Sequence, residues 1–341
     1  MRGFKPIRCL CICAWYLQLH RLMRYLHRKK IIILMYHGFT DKRAHEGIEN
    51  SQGLHLDIKG FKLQIEYLKK YYNVISLGRL IEYYSNGAEI PPNAAVITID
   101  DGYKSSYTLA YPVLKQFNVP AAIFLTTDFI DKKEPLWHDR VEYAVNMAES
   151  NPDFKDNNSR KLYCRKIVAK LKSMPQESRE GEIESLERRL GQRLSLDKAI
   201  PEIYRPLEWD EVLEMVKSGI ISMGSHTCTH VILTRSNPER QKKELVLSKQ
   251  VIENKTASSC RLFCYPNGLA GDFDYRTKDL LKESGYSCGL TAVEGMNDAY
   301  SDVFELKRLA VDNREGLITF MMTLSGIFKF LVDTKQSILK S

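Results

Sequence analysis

Short apolar runs of strand length recur along the chain, each followed by an amphipathic segment, and this alternation restricts the fold more than any other feature. Ile31–Met35, Ala94–Ile99, Val119–Leu125, Ile220–Met223, Leu262–Tyr265 and Ser287–Leu290 read as strands. Near-continuous apolar runs of this length suit strands covered on both faces. Between them, Ile58–Tyr71 places Phe61, Ile65 and Leu68 on one helical face, and Tyr107–Phe117, Glu208–Ser218, Pro238–Asn254 and Asp274–Ser284 carry helical patterning. The predicted class is α/β, a parallel sheet covered by helices. Closed into a barrel, such a sheet presents active groups at the C-terminal ends of its strands.

Residues 140–200 break the rhythm. They are rich in charge, as in Arg179-Glu180-Gly181-Glu182 and Glu187-Arg188-Arg189, and read as helices inserted between two strands. The expected role is a lid or peripheral subdomain without chemistry of its own. The expected organisation is a basic arm (1–30), a barrel domain (31–314) interrupted at about 140–200, and a C-terminal helix (315–341).

Two clusters carry chemistry. Thr98-Ile99-Asp100-Asp101-Gly102 ends a buried strand, where two adjacent carboxylates are costly unless paired or bound to a metal. Gly102 permits the backbone to turn, so one Asp can hold a metal while the other faces water; alternatively, Asp101 caps the following helix. Ser225-His226-Thr227-Cys228-Thr229-His230 also follows a strand, and two histidines four apart would share one helical face, a common spacing for a metal pair. His226, His230 and one Asp make three protein ligands and leave a position for water, the pattern of a catalytic zinc site. The competing reading is a pair of structural histidines.

Taken together, these segments resemble the polysaccharide deacetylases of carbohydrate esterase family 4, the NodB-homology group. Thr98–Gly102 looks like that family's TFDDG motif, Ser225–His230 like its H-[ST]-x-x-H motif, and Phe263-Cys264-Tyr265-Pro266-Asn267-Gly268 like its RPPYG motif. The resemblance runs from about Ile31 to Asp312. It implies a distorted (β/α)7-type barrel, one divalent metal (zinc expected) on Asp101, His226 and His230, and Asp100 as general base.

The chain departs from the family pattern in two places. No histidine follows His230, although the family carries its histidine acid in a C-terminal motif. Tyr36-His37-Gly38 ends the first strand, however, and first and last strands are neighbours in a barrel. His37 is therefore the expected acid, as in biofilm-polysaccharide deacetylases with an N-terminal YHG motif. Cys264 also replaces the Arg that orients the base, and Arg308 is the candidate substitute. Tyr265, Pro266, Asn267 and Gly268 are expected at the substrate, with the Asn267 N–H a candidate oxyanion donor. Trp137 either edges the sugar cleft or is a core residue.

The implied activity is hydrolysis of an N-acetyl group on an amino sugar of a polysaccharide or lipid-linked glycan. An O-acetyl esterase of the same fold and a silent glycan-binding relative are the alternatives. The net charge of +8 is matched by the eight Lys and Arg of residues 1–30, which contain no Asp or Glu. The body is thus neutral overall, and no nucleic-acid partner is expected. The cysteines lack a disulfide framework, and the apolar stretch at Cys9–Leu19 has no cleavage site after it and is too short to span a bilayer. The expectation is a cytoplasmic chain lying on an anionic inner leaflet through its basic arm.

Overall fold

The computed structural model describes residues 5–340 except 43, 88, 150–153, 197–199 and 312–315, with side chains from 9 to 334. Arg2, the side chains of Lys5 and Arg8, and the expected boundary at 314 lie outside the described residues.

Seven parallel strands close into a barrel: β1 (Ile32–Tyr36), β2 (Ala94–Ile99), β3 (Ala121–Leu125), β4 (Ile221–Ser225), β5 (Leu262–Cys264), β6 (Cys288–Glu294) and β7 (Leu306–Ala310). From β2 to β7 each strand pairs with the next in chain order. β1 closes the ring, with Leu34 opposite Leu309 on β7 and Ile97 on β2. The expected neighbourhood of first and last strands is therefore present. Asn73–Val74 pairs with the start of β2, and Gly38–Thr40 forms a separate two-stranded sheet with His55–Asp57.

Alternate side chains of a strand face opposite ways, and this parity builds both the core and the site. Ile32, Leu34, Tyr36, Ile97 and Ile99 pack outward against helical residues such as Phe61, Ile65, Leu114, Leu245 and Leu281. Ile31, Ile33, Val96, Phe124, Leu262, Cys264, Leu290 and Leu306 form the inward set. The inward parity of Ile33 continues to His37, that of Val96 to Asp100, and that of Leu306 to Arg308. Gly224 shares it on β4, where an added Cβ would lie 2.5 Å from the Phe124 ring and 2.9 Å from the Leu262 carbonyl. Two residues later comes His226.

Two element boundaries differ from expectation because of proline. The strand expected from Val119 begins at Ala121, after Pro120. The helix expected over Tyr107–Phe117 starts as a wide turn, Ser106–Ala110, and becomes regular at Tyr111–Phe117 with Pro112 in its first turn. Pro112 has no N–H for the preceding turn.

The insertion is helical, as expected. Trp137–Met147, Asn157–Ser173 and Gln176–Leu190 share a core of Val141, Val145, Val168, Leu171, Ile183 and Leu186. Asp156 and Ser159 close a capping box at the start of the second helix.

The two ends of the chain meet. Helices Lys5–Tyr16 and Leu19–Leu26 lie against Leu317–Ser325 and Ile327–Lys340, burying Cys11, Ala14 and Met322 with Trp15, Phe328 and Leu331 around them. The arm is thus docked on the body along one face. Among the described residues no single helix is long and apolar enough to cross a membrane.

Candidate active site

The register of β1 and β2 sets Tyr36 opposite Ile99, so the residues that follow, His37 and Asp100, leave the sheet side by side. The Asp100 N–H donates to the Tyr36 carbonyl at 2.9 Å. Asp100 is buried, and Arg308 of β7 grips it with both guanidinium nitrogens: Nη1 to Oδ1 at 2.8 Å and Nη2 to Oδ2 at 2.7 Å. Arg308 is itself aimed by Nε donating to the Thr291 carbonyl at 2.7 Å and Nη1 donating to Thr98 Oγ1 at 3.1 Å. Burial pushes the Asp100 pKa up, but the Arg308 charge and hydrogen bonds outweigh it, and the carboxyl titrates below its ordinary range. Cys264 stands beside this pair, its thiol 3.6 Å from Asp100 Oδ2. Arg308 thus reaches Asp100 from β7, on the same carboxylate that Cys264 faces.

Asp101 turns away from Asp100 because its backbone is left-handed, with φ 76°. Its Oδ1 is buried and accepts no hydrogen bond, and it lies 3.5 Å from His226 Nε2 and 3.3 Å from His230 Nε2. The alternative role of Asp101 as a helix cap has no counterpart in this geometry. The two histidines share no helical face, contrary to expectation. Residues 226–230 form a loop with Thr227 at φ 65° and His230 at φ 55°, and these left-handed residues fold the second imidazole back beside the first, their centroids 4.8 Å apart. Left-handed non-glycine residues are uncommon and concentrate at functional sites; Asn267, at φ 60°, is another here.

The donor set fits a divalent metal. Ligands at ~2.0–2.1 Å from a tetrahedral ion stand ~3.3 Å apart, close to the two observed separations. His226 Nδ1 lies 2.8 Å from the Cys264 carbonyl, an acceptor only. That contact puts the ring proton on Nδ1 and leaves Nε2 free to coordinate. The unpartnered Asp101 oxygen is the complementary observation, since a buried carboxylate oxygen without a donor is costly.

A single cleft gathers these groups. It is lined by His37, Asp100, Asp101, His226, His230 and Arg308, together with Tyr265, Asn267 and Trp137. His37 Nε2 lies 4.0 Å from Asp100 Oδ2. Burial lowers the His37 pKa and outweighs the opposing pull of Asp101 and Asp100. Two expected substrate residues are displaced. Pro266 and Gly268 do not line the cleft but make the turn behind it, where the Gly268 N–H donates to the Pro266 carbonyl at 2.7 Å. An added Cβ at Gly268 would lie 2.8 Å from the Ala292 nitrogen, so this turn positions Asn267 instead. Trp137 satisfies both readings, being almost wholly buried while its ring forms part of the cleft wall.

Two further polar residues stand in the wall, His138 from the segment Leu136–Arg140 that the sequence offered as a cleft edge, and Lys172, which the sequence did not single out. His138 follows Trp137 directly, and its ring packs edge-on to His230 at 5.3 Å between centroids. Burial lowers its pKa, but Asp139, 3.2 Å from Nδ1, more than restores it. Lys172, from the inserted helices, also lines the cleft, so the insertion is not remote from the site. Lys172 sits in a charge-rich helix and gave no signal in the sequence.

This is the constellation of a hydrolase built on a closed (β/α) barrel. The family model for polysaccharide deacetylases matches residues 87–289, and the chain belongs to that family. A Bacillus subtilis protein, YxkH, named as a polysaccharide deacetylase, is 21% identical over 83% of this chain and 71% of its own. The poly-beta-1,6-N-acetyl-D-glucosamine N-deacetylase of Escherichia coli K12 is 40% identical over a 50-residue segment, 15% of this chain and 7% of the relative. Among solved structures, the Streptococcus pyogenes deacetylase PplD, in complex with acetate, superposes with a TM-score of 0.59 at 18% identity, covering 86% of this chain and 98% of its own. IcaB from Ammonifex degensii does so with 0.56 at 16%, covering 88% and 97%. At these identities the superpositions speak for the fold.

Proposed function

We propose that the chain removes N-acetyl groups from amino sugars of a polysaccharide or lipid-linked glycan, with one divalent metal, zinc, on Asp101, His226 and His230. The observation that carries this reading is the unpartnered Asp101 oxygen, 3.3 and 3.5 Å from two imidazole nitrogens, with Asp100 beside it. The ion would supply polarisation of the acetyl carbonyl and acidified water.

The chain's own residues then divide the proton work. Asp100, ionised near neutral pH and clamped by Arg308, accepts the proton of the attacking water. Water oxygen bonds to the acetyl carbon, and the C–N bond breaks as a proton reaches nitrogen. His37 is neutral at rest, so the proton it delivers must arrive during the reaction. Asp100 has just acquired one and stands 4.0 Å away; transfer to His37 and on to the nitrogen yields acetic acid and the amine, and the acid's proton then passes to the amine to leave acetate and the ammonium form. The Asn267 N–H, which belongs to another residue of the cleft lining, serves the developing oxyanion. The test of substrate class is acetate release from N-acetylglucosamine oligomers against O-acetylated xylan. Turnover of the first in clear excess is expected, and the reverse order would assign the chain to the esterases.

We also propose a cytoplasmic location on an anionic membrane surface. Of sixteen exposed large apolar side chains among the described residues, eight lie within residues 10–26, including Leu10, Tyr16, Leu17, Leu22, Tyr25 and Leu26. Arg21, Arg24, Arg28, Lys29 and Lys30 lie within or beside this stretch, and no acid does. Such a concentration marks an interaction surface. The full chain should co-sediment with vesicles containing phosphatidylglycerol at low salt and much less at high salt, each basic residue near the surface contributing ~1 kcal/mol. Leu22→Glu and removal of residues 1–28 should both reduce pelleting; equal pelleting of all three proteins would refute it.

A further inference from the structure

The inserted helices bring one cation to each of two adjoining clefts, and among the described residues neither has a carboxylate within 4.0 Å. Lys172, near the end of Asn157–Ser173, lines the same cleft as His37 and Asp100. Among the described residues it makes no ion pair within 4.0 Å. Arg179, in the first turns of Gln176–Leu190, is 1% exposed. Its Nε donates to the Leu171 carbonyl at 3.0 Å, and its guanidinium lies 5.1 Å from the Trp137 ring centroid. Both Nη atoms are buried and without a hydrogen-bond partner. Arg179 opens onto a second cleft of about 500 Å³ that also contains Trp137 in its wall, so the two clefts adjoin along that indole.

The surroundings sharpen the imbalance. Burial, then the charges of Arg235 and Arg240, lower the Arg179 pKa to about 10, and burial likewise lowers that of Lys172. Asp272 is the one acid that opposes these shifts, and it already accepts from the Leu269 N–H and the Asn267 amide. In the second cleft Asp128 is paired with Lys132 and Glu180 with Arg140, while Glu134 and Glu177 are exposed at its rim. Gln176 Oε1 and Thr126 Oγ1 in its wall are buried without partners. A guanidinium buried without a counter-ion is destabilising unless an anion completes it.

We propose that the substrate glycan carries an oxyanion, phosphate or carboxylate, that Lys172 and Arg179 bind beside Trp137, next to the sugar being deacetylated. The inference rests on reading the main cleft as a glycan site, and it makes the insertion a specificity element.

The test uses the metal-loaded full chain. Inorganic phosphate titrated by calorimetry should bind the wild type, and Lys172→Met and Arg179→Met should each weaken it roughly tenfold, the loss of one charge-assisted hydrogen bond. His226→Ala should leave the guanidinium-dependent binding in place, whereas phosphate held by metal would vanish with it and survive Lys172→Met, overturning the proposal. In parallel, acetate release is compared for a neutral N-acetylglucosamine oligomer, the same oligomer with a reducing-end phosphate, and one with a terminal uronic acid. The ratio of anionic to neutral kcat/KM should exceed one for the phosphate or the carboxylate arm, naming the oxyanion, and should fall roughly tenfold in Lys172→Met. Equal ratios in wild type and variant overturn it. Should Arg179→Met not fold, Arg179→Lys and Lys172→Met decide alone. Phosphate binding lost in Lys172→Met, with no acetate released from any substrate, would uphold the anion site and defeat the deacetylase reading.

Discussion

Asp100→Asn should keep a full complement of metal and lose turnover by ~10²-fold or more, the contribution of a positioned general base. The substitution does a second thing that must be separated from the first. Asp100 and Arg308 form a buried bidentate pair, and removing one member of such a pair costs on the order of 3–5 kcal/mol because the other charge is left uncompensated. Asp100→Asn should therefore also unfold at lower denaturant. The double variant Asp100→Asn, Arg308→Met should recover part of that stability and none of the turnover. Full activity in either variant would remove Asp100 from the chemistry. His37→Ala should lower turnover through the amine-protonation step while leaving the Asp100–Arg308 pair and metal content intact.

His226→Ala is expected to have the second large effect. Its imidazole is held by the Cys264 carbonyl and faces Asp101, so its loss removes a ligand and leaves Asp101 with His230 alone. Changes one shell further out already cost roughly 10–100-fold in metal affinity or activity; losing the ligand should cost more, with metal content falling toward zero in dialysed protein and acetate release falling with it. Elemental analysis alongside the assay checks both. A dialysed variant that holds one metal per chain at normal turnover would show that the ion, if any, sits elsewhere.

Much of this site was legible because its groups stand at the ends of apolar runs, Asp100 and Asp101 after Ala94–Ile99, His37 after Ile31–Met35, and His226 and His230 after Ile220–Met223. The barrel strands were readable because each is an apolar run covered on both faces. What failed was conformation at the strand ends. A four-residue histidine spacing suits a helix face equally well, and nothing in Thr227 or His230 announces left-handed backbone. Pro266 and Gly268 were assigned to the substrate with the motif they belong to, although their work is the turn that presents Asn267. Lys172 reaches the cleft through packing between the insertion and the barrel, and such a long-range contact leaves no local pattern in the chain.

Metal reconstitution decides whether this one cluster carries out metal-dependent N-deacetylation. The full chain, stripped by a chelator, is titrated with zinc while bound metal and acetate released from N-acetylglucosamine oligomers are measured together. Acetate release should rise in proportion to bound metal, saturate at one ion per chain, and be regained by neither His226→Ala nor Asp100→Asn. Undiminished acetate release from the stripped chain, or none from a chain carrying one ion, would exclude that chemistry.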